Sequence, residues 1–308
     1  MLCSVVIPVY NEEDNIQELY NRLVKTFSLI SVDYEIIFVD DGSTDTSFQK
    51  MKELSLSDKR VFYLSFTRNF GHEAASTAGL DVARGDAVVL MDADLQDPPE
   101  LIPEMIKLWE NDKQLVYAKR RERCGETIFK KITAKLFYRL INLLSSTKIP
   151  LDTGDFRLMD KTAIKDFRKC REQNRFVRGL TTWIGYKQAS IEYDRPERKG
   201  GKTKYNPFKL FMLSLDVISG FSLAPLYFTI ILGFAITTIS FLITFIVVLQ
   251  KLFFGISIPG YALLASGLFF LGGIQILLMG IIGEYIGKIY RQVQGRPLYL
   301  IREQNINS

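Results

Sequence analysis

Two long stretches without charged residues lie in the C-terminal third of this chain and restrict most strongly what it can form. The first covers residues 226–249. The second is divided by Pro259-Gly260, which leaves residues 261–283 as a continuous apolar segment. As helices rising about 1.5 Å per residue, both segments are long enough to cross a hydrocarbon core of about 30 Å. We therefore predict two transmembrane helices joined as a hairpin.

Positively charged residues are distributed unequally around this predicted hairpin. Lys251 is the single charged residue between the two segments, whereas four positive residues follow the second one: Lys288, Arg291, Arg296 and Arg302. Lysine and arginine concentrate on the cytoplasmic side of membrane proteins. The N-terminal stretch "MLCSVVIPVY" also lacks the basic start of a cleaved signal peptide. We therefore predict a multi-pass protein of the inner (plasma) membrane with both termini in the cytoplasm.

The first 205 residues alternate between strand-like and helix-like patterns. Apolar runs such as "CSVVIPVY", "YEIIFVDDGS" and "DAVVLMDA" alternate with amphipathic stretches such as "NEEDNIQELYNRLVKTFSLI" and "PPELIPEMIKLWEND". This alternation predicts an α/β fold, a mostly parallel sheet with helices on both faces. The predicted organisation is an α/β domain over residues 1–205, a juxtamembrane amphipathic segment over 206–225, the hairpin over 226–283 and a cytoplasmic tail over 284–308.

Polar residues gather where four of the predicted strands end. The four clusters cover residues 11–13, 40–45, 68–71 and 92–97. Parallel strands bring their carboxyl ends to one edge of a sheet, and ligands bind in the crevice outside that edge. Any single cluster can be an ordinary capping loop, but four together predict a ligand crevice.

The cluster after the strand "AVVLMDA" has the chemistry of a metal site. Asp92 and Asp94 form a DxD arrangement, and Gln96 can add a neutral oxygen. Such hard oxygen ligands suit Mg²⁺ or Mn²⁺, which commonly bind substrate phosphates as well. A divalent cation would also offset the repulsion between the crowded carboxylates. We therefore predict a divalent metal held by Asp92, Asp94 and Gln96.

The composition argues against several other kinds of site. Cys3, Cys124 and Cys170 are far apart, which indicates a reducing compartment rather than a disulfide framework. His72 is the only histidine, so a histidine-based zinc centre or a Ser-His-Asp triad is not expected, and a structural role is expected for it instead. Neither a GxGxxG nor a GxxxxGK[ST] motif follows a strand. The net charge of +5 is mild, and no nucleic-acid partner is expected.

Six motifs together identify a family. "VVIPVYNEE", "DDGSTD", "RNFG", "DADLQDPPE", "TGDFRLM" and "RKGGKTKY" stand in the order found in family 2 glycosyltransferases of the GT-A fold. Within that family the chain resembles polyprenyl-phosphate glycosyltransferases: it is similar to dolichol-phosphate mannose synthases and most similar to bactoprenol glucosyltransferases, which end in a pair of membrane helices. The ending "IIGEYIGKIYRQVQGRPLY" is also similar to that group. "QNRFVRGLTTW" does not match the QxxRW motif of processive synthases, which counts against a polymerising enzyme.

The resemblance implies a role for each matching position. The nucleotide-sugar site would comprise Pro8, Tyr10, Glu12, Asp40, Asp41, Arg68 and Asp92. The catalytic residues would be Asp155, Arg157 and Asp94. The lipid phosphate would be bound by Arg198, Lys202 and Lys204.

Two of these assignments have a simpler alternative. Arg198, Lys202 and Lys204 could be ordinary juxtamembrane charges that neutralise lipid headgroups. Asp155 could be a structural residue paired with Arg157 or Arg178.

The resemblance implies inverting transfer of one sugar to undecaprenyl (polyprenyl) phosphate at the cytoplasmic face. Glucose from UDP-glucose is the expected donor, and the product would supply cell-surface glycan modification such as that of O-antigen. A flippase and a downstream transferase would act in the same pathway, and a homo-oligomer is possible. Two alternatives stay open: another donor, GDP-mannose or a UDP-aminosugar, or a non-catalytic membrane protein that binds nucleotide sugars.

Overall fold

The computed structural model describes residues 1–121, 153–194, 224–254 and 260–306. These residues form eight strands: β1 (Leu2–Val9), β2 (Asp33–Asp40), β3 (Val61–Phe66), β4 (Ala87–Leu90), β5 (Leu115–Arg120), β6 (Thr153–Asp160), β7 (Gln188–Tyr193) and β8 (Ile301–Gln304). They also form eight α-helices: α1 (Ile16–Ser28), α2 (Ser47–Ser57), α3 (His72–Val82), α4 (Ile102–Glu110), α5 (Lys161–Phe167), α6 (Val177–Trp183), α7 (Ala224–Phe254) and α8 (Tyr261–Gln294).

The eight strands form one sheet in the order β7-β5-β6-β4-β1-β2-β3-β8. Six strands run in the same direction, while β6 and β8 run antiparallel to their neighbours. The predicted mostly parallel sheet is therefore confirmed. The apolar run in β1 is explained by its position between β4 and β2, because a strand covered on both faces needs apolar side chains on both.

Helices cover both faces of the sheet, as the alternating pattern predicts. On one face, α1, α2 and α4 contribute Leu19, Met51 and Ile102 to a core that includes alternate residues of β1. On the other face, α3, α5 and α6 pack against the remaining residues of the same strands. Helix α3 approaches β1 so closely that a Cβ atom added to Gly79 would lie 2.2 Å from Cγ1 of Val6. This close packing holds α3 against the sheet, and the helix starts at the carboxyl edge because it follows β3.

Helices α7 and α8 follow the α/β part and are apolar along most of their length. Each contains a segment long and apolar enough to cross a membrane, Pro225–Ile243 in α7 and Phe270–Gln294 in α8. The two helices contact each other, in agreement with the predicted hairpin. Both extend beyond the predicted limits, because Lys251 and Glu284 are accommodated within continuous helix. The predicted juxtamembrane segment lies outside the described residues as far as residue 223.

The end of the chain returns to the sheet. Helix α8 stops at Gln294, Gly295 adopts the left-handed conformation with φ 59°, and β8 begins six residues later. Strand β8 pairs with β3, so Leu64 lies opposite Gln304 and Ser65 lies opposite Glu303. The sequence predicts a separate tail over residues 284–308. In the structure that segment supplies the end of α8 and an edge strand of the sheet.

Candidate active site

The loop after β4 carries the DxD residues to the carboxyl edge of the sheet. It folds back on itself, because the Asp92 N–H donates to Asp97 Oδ2 at 3.1 Å and the Gln96 N–H donates to Asp94 Oδ1 at 3.2 Å. Leu95 takes a positive φ of 62° within this turn, a conformation that non-glycine residues seldom adopt. The turn therefore holds Asp92 and Asp94 in fixed positions.

Asp97 supports this loop from the protein interior. Its side chain is buried, and the hydroxyl of Tyr193 donates to its Oδ1 at 3.1 Å. Burial, followed by the negative charge of Asp92, raises the pKa of Asp97 to about 7. The third aspartate of the cluster thus belongs to the framework of the loop.

Three potential metal ligands from distant parts of the chain meet at this edge. Nε2 of His72 lies 3.3 Å from Oδ2 of Asp155 and 3.6 Å from Oδ1 of Asp92. One ligand atom from each of the three residues lies within 4.8 Å of the others. Burial alone would lower the pKa of His72, but the hydrogen bond with Asp155 and the charge of Asp92 outweigh it and raise the pKa to about 10.

Asp155 is held by Arg178 from α6. Nε and Nη2 of Arg178 each donate to one carboxylate oxygen of Asp155 at 2.7 Å, a bidentate ion pair. Burial would raise the pKa of Asp155, but the charge and hydrogen bonds of Arg178 outweigh it and hold the pKa well below its usual value. Asp155 is therefore an ionised, oriented carboxylate.

Helix α6 is in turn tied to α3. Oε2 of Glu73 accepts a hydrogen bond from the N–H of Val177 at 2.7 Å, at the first residue of α6. Glu73 is adjacent to His72, so one turn of α3 positions both the imidazole and the helix that carries Arg178. This link fixes the relative positions of His72, Asp155 and Arg178.

Arg157 is placed differently from Asp155, although both lie in β6. Its guanidinium donates to the hydroxyl of Thr181, to the carbonyl of Gly154 at 3.0 Å and to the carbonyl of Asp155 at 3.2 Å. The residue is buried, and burial lowers its pKa to about 10. Arg157 therefore lies in the interior, below the carboxyl edge of the sheet. The carboxylate of Asp155 is contacted by Arg178 instead.

The residues expected to bind the nucleotide surround the ends of β1, β2 and β3. Asp40 is fully buried and accepts hydrogen bonds from the hydroxyl of Ser65 at 2.6 Å and from the N–H of Ser43 at 2.9 Å. Asp41 accepts from the N–H groups of Phe70 at 2.7 Å and Gly71 at 3.0 Å. The two aspartates thus join the "DDGS" turn, which follows β2, to β3 and to the loop after β3.

Gly42 makes this turn possible. Its φ is +71°, and a Cβ atom added there would lie 2.6 Å from the carbonyl carbon of Arg68. Only glycine adopts this backbone conformation without strain while allowing another backbone so close. Burial raises the pKa of Asp41, in spite of its two backbone hydrogen bonds.

The other expected nucleotide residues lie along the same edge. Pro8 is buried in β1, whereas Tyr10, just beyond that strand, is 38% exposed. Glu12 accepts a hydrogen bond from Nδ2 of Asn15 at 2.6 Å. The guanidinium of Arg68 is exposed and lies 4.0 Å from the ring centroid of Phe70. Tyr10 and Arg68 therefore offer a ring and a cationic group at the surface of the crevice.

A divalent cation fits the groups at the centre of the edge. Among the described residues, Oδ1 of Asp92 is a buried oxygen without a hydrogen-bond partner. A buried polar atom of this kind normally has a partner, and a metal ion would supply one. The structure brings Asp92 together with His72 and Asp155, whereas Asp94 and Gln96 lie further along the loop and are partly exposed.

The sequence assigns no role in the site to two functional candidates: His72, which it predicts to be structural, and Glu73. It offers Arg178 only as an alternative partner of Asp155, and the structure shows that pairing. His72 follows the "RNFG" motif at a predicted helix start, which was the one available signal for it. The residues expected to bind the lipid phosphate, Arg198, Lys202 and Lys204, lie outside the described residues.

Comparison with known proteins gives the class of this chain. Residues 4–168 match glycosyl transferase family 2. The uncharacterized glycosyltransferase YkcC of Bacillus subtilis is 48% identical over 97% of this chain and 93% of its own length. The SfII prophage-derived bactoprenol glucosyl transferase of Shigella flexneri is 41% identical over 99% of both chains.

One solved structure with a similar fold is glucosyl-3-phosphoglycerate synthase from Mycobacterium tuberculosis in complex with Mn²⁺, uridine-diphosphate-glucose and phosphoglyceric acid. It is 19% identical, with a TM-score of 0.48, and the match covers 71% of this chain and 77% of that one. On the family match and the full-length relatives, the chain belongs to glycosyltransferase family 2 and is a glycosyltransferase.

Proposed function

We propose that the protein transfers a single sugar from a nucleotide diphosphate to a polyprenyl phosphate, with inversion at the anomeric carbon. The observation that carries this proposal is the similarity to a bactoprenol glucosyl transferase over 99% of both chains, which includes the apolar helices as well as the α/β part. The proposed donor is UDP-glucose, and the proposed acceptor is undecaprenyl phosphate.

The acceptor chemistry suits the arrangement of charges at the site. A phosphate monoester is already ionised near neutral pH, so its attack on the sugar requires orientation and charge stabilisation more than proton removal. Both oxygens of Asp155 accept hydrogen bonds from Arg178. We therefore assign to Asp155 the role of orienting Arg178, and to Arg178 that of stabilising negative charge between the reacting groups.

The residues around Asp92 would hold the divalent metal. Asp92 would be the central ligand, with Asp94 and Gln96 at the mouth of the same loop. His72 and Asp155 lie beside it, and His72 would join the ligands only after losing its proton, because a protonated imidazole cannot bind a metal. Mg²⁺ or Mn²⁺ bound there would supply positive charge to the leaving nucleotide diphosphate. The protein's own contribution is to fix this loop through Asp97 and Tyr193.

The apolar helices fit an acceptor that cannot leave the bilayer. We propose that α7 and α8 span the membrane and keep the α/β part on its cytoplasmic face, where nucleotide sugars occur. Anchoring confines the enzyme and the lipid to one surface and raises their effective concentration. The positive residues after the second segment favour this orientation.

Sugar transfer by the purified full-length chain tests the proposal. The protein in lipid nanodiscs is given undecaprenyl phosphate, Mn²⁺ and a panel of radiolabelled donors: UDP-glucose, GDP-mannose and UDP-aminosugars. We expect an organic-extractable, labelled product with UDP-glucose. A product with another donor would change the sugar assignment, and the absence of lipid-linked product with every donor would contradict the function.

A further inference from the structure

The edge strand β8, which completes the sheet, follows both apolar helices in the chain. Six residues separate the end of α8 from β8, a connection that can span at most about 25 Å. Strand β8 lies against β3, whose carboxyl end leads into the proposed nucleotide crevice. Residues after the second apolar helix therefore lie next to this crevice.

Strong local contacts hold this returning segment in place. The ring of Tyr299 stacks on Phe66 with a centroid distance of 5.1 Å, and its hydroxyl donates to Asp81 at 2.8 Å. Nζ of Lys52 lies 2.6 Å from Oε1 of Glu303. Further along, Ile306 is buried in the core of the α/β part. The segment thus has a defined position on the sheet.

Arg302 extends from β8 towards the "DDGS" turn. Its Nη2 donates to the hydroxyl of Ser65 at 2.8 Å, and that hydroxyl donates to Oδ2 of Asp40 at 2.6 Å. The same nitrogen lies 3.8 Å from Oδ2 of Asp40. The guanidinium also lies over the ring of Phe48, 5.0 Å from its centroid. A chain of polar contacts therefore connects the last strand with the buried carboxylate of Asp40.

Two observations, the burial of Asp40 and the exposure of Arg302, indicate that Arg302 does more than fix an edge strand. Asp40 is fully buried, and a buried carboxylate requires compensating partners. The side chain of Arg302 is 50% exposed and lies beside the end of β2, so it is accessible from solvent next to the crevice. A guanidinium in this position can offset the adjacent carboxylates and can donate to an acceptor-rich ligand.

We propose that Arg302 belongs to the donor nucleotide site, where it positions Asp40 through Ser65 and adds positive charge at the rim. This inference rests on the proposed function, because it assumes that the crevice at the end of β2 and β3 binds a nucleotide. It follows that the donor site is complete only when the segment after the second apolar helix is docked on the sheet.

The test is UDP binding to the full-length protein, measured by calorimetry in nanodiscs with Mn²⁺. Arg302→Ala should raise the Kd for UDP about tenfold, the effect expected for losing one charge-assisted contact. In the transfer assay, the KM for the donor should rise while the KM for undecaprenyl phosphate stays unchanged. Arg302→Lys keeps the charge but loses the planar donor group, and it should give an intermediate Kd.

Glu303→Ala is the matched control. It removes the ion pair with Lys52 and the 2.9 Å hydrogen bond from the hydroxyl of Tyr63, but it leaves the contacts of Arg302 with Ser65 and Asp40 untouched. Because it removes one ion pair and one hydrogen bond of β8, this variant should lower the melting temperature about as much as Arg302→Ala does. It should keep the Kd for UDP within about twofold of wild type, because the contacts of Arg302 remain.

The outcomes separate this inference from the proposed function. Equal weakening of UDP binding by Arg302→Ala and Glu303→Ala would show that only strand docking matters, and would overturn the role of Arg302. An unchanged Kd in Arg302→Ala, with a wild-type enzyme that binds UDP and glycosylates the lipid, would overturn the inference alone. A wild-type protein that neither binds UDP nor transfers sugar would overturn the proposed function as well.

Discussion

Replacing Arg178 by alanine is the most direct test of the site. The change removes both hydrogen bonds that Arg178 donates to Asp155. That carboxylate, whose side chain is 5% exposed, then keeps His72 as its ion-pair partner against the nearby charges of Asp92 and Glu73. Breaking a buried ion pair costs about 3–5 kcal/mol. Because Arg178 is 31% exposed, we expect a smaller loss of unfolding free energy, roughly 2–3 kcal/mol. At about 2–4 °C per kcal/mol for a domain of this size, the melting temperature should fall by roughly 4–12 °C.

The effect on activity should be larger than the effect on folding. If Arg178 stabilises charge between the reacting groups, kcat for sugar transfer to undecaprenyl phosphate should fall about 10²–10³-fold at temperatures where the variant is folded. The double variant Arg178→Ala/Asp155→Ala removes both partners, so it should recover much of the melting temperature without recovering kcat. Activity of Arg178→Ala within about threefold of wild type would refute the assigned role.

Three further predictions concern the metal, the turn and the lipid. Asp92→Asn should abolish transfer because it removes the proposed central metal ligand, and it should keep or raise the melting temperature because it removes one of several neighbouring carboxylates. EDTA should have the same effect on activity, and full activity in EDTA would contradict the metal site. Gly42→Ala should cost at least about 1–2 kcal/mol from the positive φ alone, and more because the added Cβ would lie 2.6 Å from the backbone of Arg68; thermal unfolding measures this cost, and an unchanged donor KM would show that the turn does not shape the donor site. Lys204→Ala should raise the KM for polyprenyl phosphate more than that for the donor, and equal changes in steady-state kinetics would indicate a general defect.

Much of the fold follows from patterns that are local in the sequence. The continuous apolar run of β1 predicts a strand buried on both faces. The two uncharged stretches predict the long apolar helices that the structure forms as α7 and α8. The crevice could also be predicted, because parallel strands place the clusters at Asp40 and Asp92 on one edge irrespective of side-chain detail.

The partners within the crevice could not be predicted in the same way. His72 and Asp155 are far apart in the chain, and they meet only because α3 packs closely on β1 while β6 pairs with β4. A histidine at the start of a helix has no distinguishing pattern. The choice between Arg157 and Arg178 as the partner of Asp155 depends on the docking of α6, which Glu73 fixes through the first residue of that helix.

Strand β8 was missed for a different physical reason. Its four residues, "IREQ", include one strongly apolar side chain and show no clear alternation. The strand forms because Tyr299 and Ile306, on either side of it, are held by the α/β part. Such a strand is determined by tertiary contacts rather than by local propensity.

The segment that leaves α8 contacts both sides of the proposed reaction site. Near the end of α8, Oε1 of Gln292 accepts a hydrogen bond from the N–H of Gln173 at 2.9 Å, and the carbonyl of Arg296 accepts from Nε2 of Gln173 at 2.5 Å. Gln173 precedes α6, the helix that carries Arg178, whereas Arg302 lies a few residues further on beside Asp40. A transferase that joins a soluble donor to a membrane-bound acceptor must hold two subsites at a fixed height above the lipid. A short connection from α8, the proposed membrane helix, to both subsites meets that requirement, because movement of either subsite relative to α8 would break the contacts of Gln173 or of Arg302.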